Sequence, residues 1–123
     1  MKQEDKELLL KDLCARLPYG VKVKTNNIHI LRLGTHTRVG EYVTDVIEPC
    51  KPYLFPLSSM TEEQKEEMVN KGIAYYQVFD GIGRRFFFKE GYELYDWLNK
   101  NHFDYRNLIN KNLAIDCTNL NIY

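Results

Sequence analysis

Apolar residues at the start of the chain return at helical spacing. Leu10, Leu13, Cys14 and Leu17 fall on one stripe, Leu9 lies beside it, and charged residues fill the other positions. The pattern predicts an amphipathic helix over residues 4–17. Pro18 ends it, because the residue before a proline is pushed out of helical geometry. The period then changes to two. Gly20-Val-Lys-Val-Lys-Thr-Asn-Asn-Ile-His-Ile-Leu-Arg-Leu alternates on both sides of Asn26-Asn27, and Asn tolerates the positive φ of a tight turn. A two-residue loop pairs Thr25 with Ile28 and Val23 with Ile30. Val21, Val23, Ile28 and Ile30 then share the core face, and Lys22, Lys24 and His29 the other. Residues 39–47 supply a third strand through Val39, Tyr42, Val43, Val46 and Ile47.

Pro49, Pro52 and Pro56 bracket Tyr53-Leu-Phe. Proline lacks a donor and fixes φ, which predicts an extended connector lying across the core rather than a helix or a central strand. Thr61-Glu-Glu-Gln is a capping box. It opens a helix that runs to about Lys71 and stops at Gly72, with a thin apolar face of Met68 and Val69, then Ile73. Residues 73–79 read as a strand, Gly81-Ile-Gly83 as a turn and Arg84 to Phe88 as a second strand. The last helix runs from about Glu90 to Asn101, with Leu94, Trp97 and Leu98 inward. Asp104 then caps a short helix that turns Leu108 and Ile109 inward, and Leu113-Ala-Ile closes the chain as a strand or extended piece. The sum is a single α+β domain over residues 1–123. An antiparallel β-meander and a hairpin pack against N-terminal, middle and C-terminal helices.

Composition narrows the function. One domain is the size prior for 123 residues, and 44% hydrophobic with 28% charged residues describes an ordinary globule. The 17 basic and 17 acidic residues cancel, which argues against a polyanion binder driven by bulk charge. No apolar run reaches the length of a membrane helix, and Leu8 to Leu10 is too short for a signal peptide, so the expected location is the cytoplasm, with no membrane partner. Cys14, Cys50 and Cys117 are odd in number and widely spaced, without Cys-x-x-Cys. They read as buried thiols rather than a disulfide framework or a zinc site. His29, His36 and His102 are scattered, so no metal or other cofactor is expected.

Three blocks carry a resemblance: Lys11-Asp-Leu-Cys-Ala-Arg-Leu-Pro-Tyr-Gly-Val-Lys-Val, Lys51-Pro-Tyr-Leu-Phe-Pro-Leu-Ser-Ser-Met-Thr-Glu-Glu-Gln, and Tyr95-Asp-Trp-Leu-Asn-Lys-Asn-His-Phe-Asp-Tyr-Arg-Asn-Leu-Ile. With them the chain resembles small uncharacterised proteins of gut Bacteroides genomes and their phages or prophages. The resemblance implies a mobile-element setting and a cytoplasmic life. It implies no activity, and no functional residue is carried over from it.

The candidate chemistry is therefore read from the residues. Gly81 and Gly83 with Arg84 and Arg85 are the best small-anion candidate, since glycines let backbone amides approach a phosphate and arginines grip it; a tight hairpin with solvated arginines explains the same letters. Lys22 and Lys24 lie in a stretch from Leu17 to Gly40 that has no acid, a candidate nucleic-acid face or a solvated sheet face. His102 and Asp104 are spaced for acid–base work, but capping explains Asp104, and a helix end favours a cation at His102. Tyr75, Tyr76, Tyr92, Tyr95, Tyr105 and Tyr123 exceed what a small core needs, and tyrosine suits contact surfaces. Tyr92, Tyr95 and Tyr105 are the expected interface set. The leading expectation is a non-enzymatic protein-binding or adaptor protein whose partner is another protein or itself. The alternative is a nucleotide or nucleic-acid binder using Lys22, Lys24, Arg84 and Arg85.

Overall fold

The computed structural model describes residues 2–38 and 50–123, so the third strand expected over 39–47 lies outside the described residues. The chain is α+β. Helix α1 spans Gln3–Arg16 and leads through a 3-10 turn, Leu17–Tyr19, into strands β1 (Val21–Lys24) and β2 (Leu31–Leu33). Strand β3 (Lys51–Pro56) precedes α2 (Glu62–Asn70) and a hairpin of β4 (Ala74–Phe79) and β5 (Gly83–Phe88). Helix α3 (Tyr92–Lys100) and two short strands, β6 (Phe103–Asp104) and β7 (Ile115–Asp116), complete it.

The inward face of α1 is rotated from the expected one. Leu9, Asp12, Leu13 and Arg16 are buried, whereas Leu10 and Cys14 are exposed. The cause is an ion pair on the inner face. Asp12 and Arg16 stand one turn apart, both fully buried, with Arg16 Nε donating to Asp12 Oδ2 at 2.8 Å and Arg16 Nη2 to Phe103 O at 2.7 Å. A charged pair at core positions hides the true stripe from a hydrophobicity reading. Cys14 is therefore no core thiol, while Cys50 and Cys117 are, and burial pushes both up to about 11.

The β1–β2 hairpin is shifted by one residue. Thr25 N donates to Ile28 O, closing the turn as expected, but the strands then pair Val23 with Leu31 and Val21 with Leu33. One extra residue on the second strand reverses its faces. Leu31 and Leu33 point toward α1, and Ile28 and Ile30 are exposed.

The proline-bracketed segment is the centre of the main sheet, not a connector. Strand β3 pairs antiparallel with β1, and parallel with both β6 and β7. Leu54 O accepts from Cys117 N, and the next amide, Phe55 N, donates to His102 O. A trans peptide points its carbonyl and amide in opposite directions, so β7 and β6 flank β3 on opposite edges. Pro52, Leu54 and Pro56 share one phase of the strand. Their missing or present amides face the β7 edge, where pairing covers only Tyr53 and Leu54. The two prolines bracket that short ladder and remove no rung from it.

The β1–β3 ladder stops after Val23 and Pro52. The next rung, Lys22 to Tyr53, is replaced by a side chain. Lys22 N donates to the Tyr123 hydroxyl at 2.9 Å, and that hydroxyl donates to Tyr53 O at 2.9 Å. The ring stacks on His102 with centroids 3.6 Å apart. Both faces of β3 are thereby buried: Leu54 among Leu108, Leu113 and Ala114, and Tyr53 with Cys117 and Ile122.

The second core joins α2, α3 and the hairpin base through Met68, Ile73, Ala74, Leu94, Trp97, Leu98 and Phe103. Here the sequence expectations hold. Thr61 and Gln64 form the reciprocal capping box, Gly72 takes φ +75°, and Leu94, Trp97 and Leu98 face inward. Asp104 accepts from the amides of Arg106, Leu108 and Ile109, but what it caps is a set of turns, not a helix. Asn107 and Asn112 adopt left-handed φ, which a continuing helix excludes.

These faces set a stability test. Leu9→Ala and Leu54→Ala are each expected to cost about 2–5 kcal/mol, and Leu10→Ala to stay within about 0.5 kcal/mol, in urea denaturation. Equal losses at Leu9 and Leu10 would contradict the helix face described.

Candidate interaction surface

The β4–β5 hairpin is a two-stranded ribbon with two different faces. Its register pairs Ala74 with Phe88, Tyr76 with Phe86 and Val78 with Arg84, and on the other face Tyr75 with Phe87, Gln77 with Arg85 and Phe79 with Gly83. Ala74, Phe86 and Phe88 pack on the α2–α3 core. The opposite face carries Tyr75 and Phe87 stacked at 5.6 Å, Phe79 against Phe87 at 6.2 Å, and the Arg85 guanidinium over Phe79 at 6.0 Å. Tyr75 is 46% exposed. At the tip Val78 is 77% and Ile82 63% exposed. Gly81 and Gly83 hold φ of +76° and +88°, which the turn itself requires. Arg84 lies flat on Tyr76, 4.0 Å from its centroid, on the face opposite to Arg85.

The three tyrosines of the expected interface set have different surroundings. Tyr92 is 75% exposed at the start of α3. Tyr95 donates to Glu90 at 2.8 Å and packs on Tyr105 with centroids 5.1 Å apart; the bond to Glu90, then burial, raises its phenol pKa. Tyr105 is structural in its contacts. It donates to Asn99 Oδ1, accepts from Arg106, and lies against the guanidiniums of Arg16 and Arg106. Arg106 also donates to Asp12, which joins this patch to the buried ion pair.

The four candidate cations occupy separate sheets: Lys22 and Lys24 on β1, Arg84 and Arg85 on β5. Lys24 is exposed, whereas Lys22 Nζ donates to Ile122 O at 2.7 Å and lies over the Tyr123 ring. His102 and Asp104 do not meet as a dyad, since Asp104 binds backbone amides and His102 stacks on Tyr123. The helix end does not favour a charged His102 either. Burial, then Arg16, Lys22 and Arg32, hold its pKa down to about 4.

A groove of about 470 Å³ lies between α2, α3 and the 3-10 turn, and sequence reasoning missed it. Trp97 and Ile73 line its apolar part, and Glu67, Glu93 and Asp96 its acidic part, with Lys71 and Lys100 beside them. Trp97 Nε1 donates to Glu67 Oε2 at 2.6 Å. Tyr19, also lining it, has its phenol pKa raised by burial and by neighbouring Asp96. No spacing signal could have found this groove, because Glu67 and Asp96 meet only through the packing of two helices. A second hollow, about 330 Å³, is lined by Leu57, Asp104, Tyr105 and Ile109 among others. Neither is lined by Lys22, Lys24, Arg84 or Arg85.

Among the described residues no cluster of three or more His, Cys, Asp or Glu could hold a metal, and no helix is long and apolar enough to cross a membrane. Compared with protein-family models, curated proteins and solved structures, the chain matches none.

His102 generates a pH prediction. Its folded pKa, about 4, lies below the ordinary 6.5, so the unfolded chain takes up the extra proton between those values. Its contribution to stability is complete above about 6.5 and is lost as pH falls toward about 4. Replacing His102 with Asn, which tolerates its φ of +64°, removes that titration. The urea midpoint is expected to fall less for His102→Asn than for the parent between about pH 7 and about pH 4.5. Equal falls would contradict the neutral, buried imidazole.

Proposed function

We propose that this is a small binding or adaptor protein that engages a protein partner through the outward face of the β4–β5 ribbon, with the exposed Tyr92 as a further candidate contact. The observation that carries the reading is an aromatic ribbon face, Tyr75, Phe79 and Phe87, that packs on its own members and belongs to none of the buried clusters. Exposed aromatic and aliphatic side chains interleaved with arginine match the composition of contact surfaces. The inner face of the ribbon packs on the α2–α3 core, so covering the outer face by a partner would bury apolar area that the fold itself leaves exposed. The resemblance to mobile-element proteins belongs to the same proposal, with the protein acting inside the host cell.

A second reading has its own observation. Arg85 over Phe79 beside a Tyr75–Phe87 stack also resembles a platform on which single-stranded bases stack. Salt separates the two. Counterion release makes a binder with six to ten phosphate contacts lose roughly a thousandfold or more between about 50 and about 200 mM salt, whereas an apolar interface changes little.

The partner recovered from host lysate is therefore expected to persist at the higher salt and after nuclease treatment. Tyr75→Ala, with an unchanged melting temperature, is expected to weaken it about tenfold or more, and Lys24→Glu to leave it bound. Loss of the partner in moderate salt, together with its loss on nuclease treatment, would favour the nucleic-acid reading.

A further inference from the structure

The chain carries two exposed features of complementary chemistry. The first is the ribbon tip. Val78 and Ile82 are its most exposed apolar side chains, and Arg84 and Arg85 flank them. Among the described residues neither arginine forms an ion pair; each guanidinium lies over a ring of its own ribbon. The second feature is the α2–α3 groove, with its indole and Ile73 in the apolar part and Glu67, Glu93 and Asp96 converging from two helices. Lys71 and Lys100 make its field mixed. A guanidinium, planar, weakly hydrated and able to pair with carboxylates through two donors, suits such a rim better than a compact ammonium ion.

We propose that the groove receives the ribbon tip of a second copy of this chain, with Arg84 and Arg85 meeting the exposed Glu93 and Asp96 at its rim. This rests on the reading of the ribbon as a protein-contact surface and names its occupant. A second copy fits because both halves of the complementary pair stand on one chain, and 17 acids against 17 bases leave no net repulsion between copies. Matching the charges steers the encounter and fixes the register, while the apolar tip supplies the buried area. The contact is heterologous on each side, so it closes into a pair only if exchange is reciprocal.

The test is sedimentation equilibrium of the full chain at low and high micromolar concentration, with charge reversals. The parent is expected to self-associate. Arg84→Glu with Arg85→Glu, and separately Glu93→Arg with Asp96→Arg, are each expected to weaken association about tenfold or more. Mixing the two variants is expected to restore it, as a hetero-complex. Asp96 contacts Tyr19, so Glu93→Arg alone serves if the double variant melts early. A parent that stays monomeric, or variants that associate like the parent, or a mixture that fails to pair would overturn the proposal. A monomeric chain that still loses its partner on Tyr75→Ala would overturn self-docking and leave the ribbon reading standing.

Discussion

The structure depends on the burial of one six-residue strand, β3. Among the described residues it is touched from every direction: β1 along its first half, β6 along its last two residues, β7 on the opposite edge, and side chains on both faces. Three of those neighbours come from distant parts of the chain, so the strand has little local stability and closes the fold only when all arrive. Tyr123 bridges its open rung. The Tyr123 hydroxyl satisfies the amide of Lys22 and the carbonyl of the buried Tyr53 where the ladder parts, so both backbone groups keep a partner.

A second constraint ties α1 to the same centre. Asp12 and Arg16 are buried together, and Arg16 reaches Phe103 O at the end of β6. Such a pair adds little net stability over an apolar one, but losing either partner strands a buried charge at a cost of about 3–5 kcal/mol. Its value is placement. With Arg106 and Tyr105 it holds the turn after β6 against the helix, and Asp104 fixes the same turn through three amides. The outcome is a frame with rigid, polar-bonded joints from which the β4–β5 ribbon projects with its aromatic face and tip uncovered. Frame and ribbon thus differ: one is held by buried polar bonds, the other leaves an aromatic face exposed.

What was legible in the sequence was local. The Thr61–Gln64 capping box, the Gly72 stop, the Gly81–Gly83 turn and the Leu94, Trp97, Leu98 face each follow from residues a few positions apart. What was hidden was decided at a distance or by one residue. The Thr25–Ile28 turn was visible, but the extra residue after it was not, and it reversed β2. The α1 face was masked because two of its inward residues are charged. Prolines in β3 argued against a central strand, since nothing local shows that their phase faces an edge paired over only two residues. The groove was illegible for the same reason as β3. Glu67 and Asp96 become neighbours only when α2 and α3 pack. Of the candidate residues, Tyr105 and Lys22 are held by contacts that no spacing announces.

The most direct measurement is residue-resolved amide hydrogen exchange. If the frame is organised on β3, the amides of Phe55, Cys117 and Lys22, bonded to His102 O, Leu54 O and the Tyr123 hydroxyl, exchange only with global unfolding. Amides at the ribbon tip, from Val78 to Arg84, exchange by local opening and much faster. Fast exchange at Phe55 and Cys117, or equal protection across β3 and the ribbon tip, would contradict a centre organised on β3 with a separately opening ribbon.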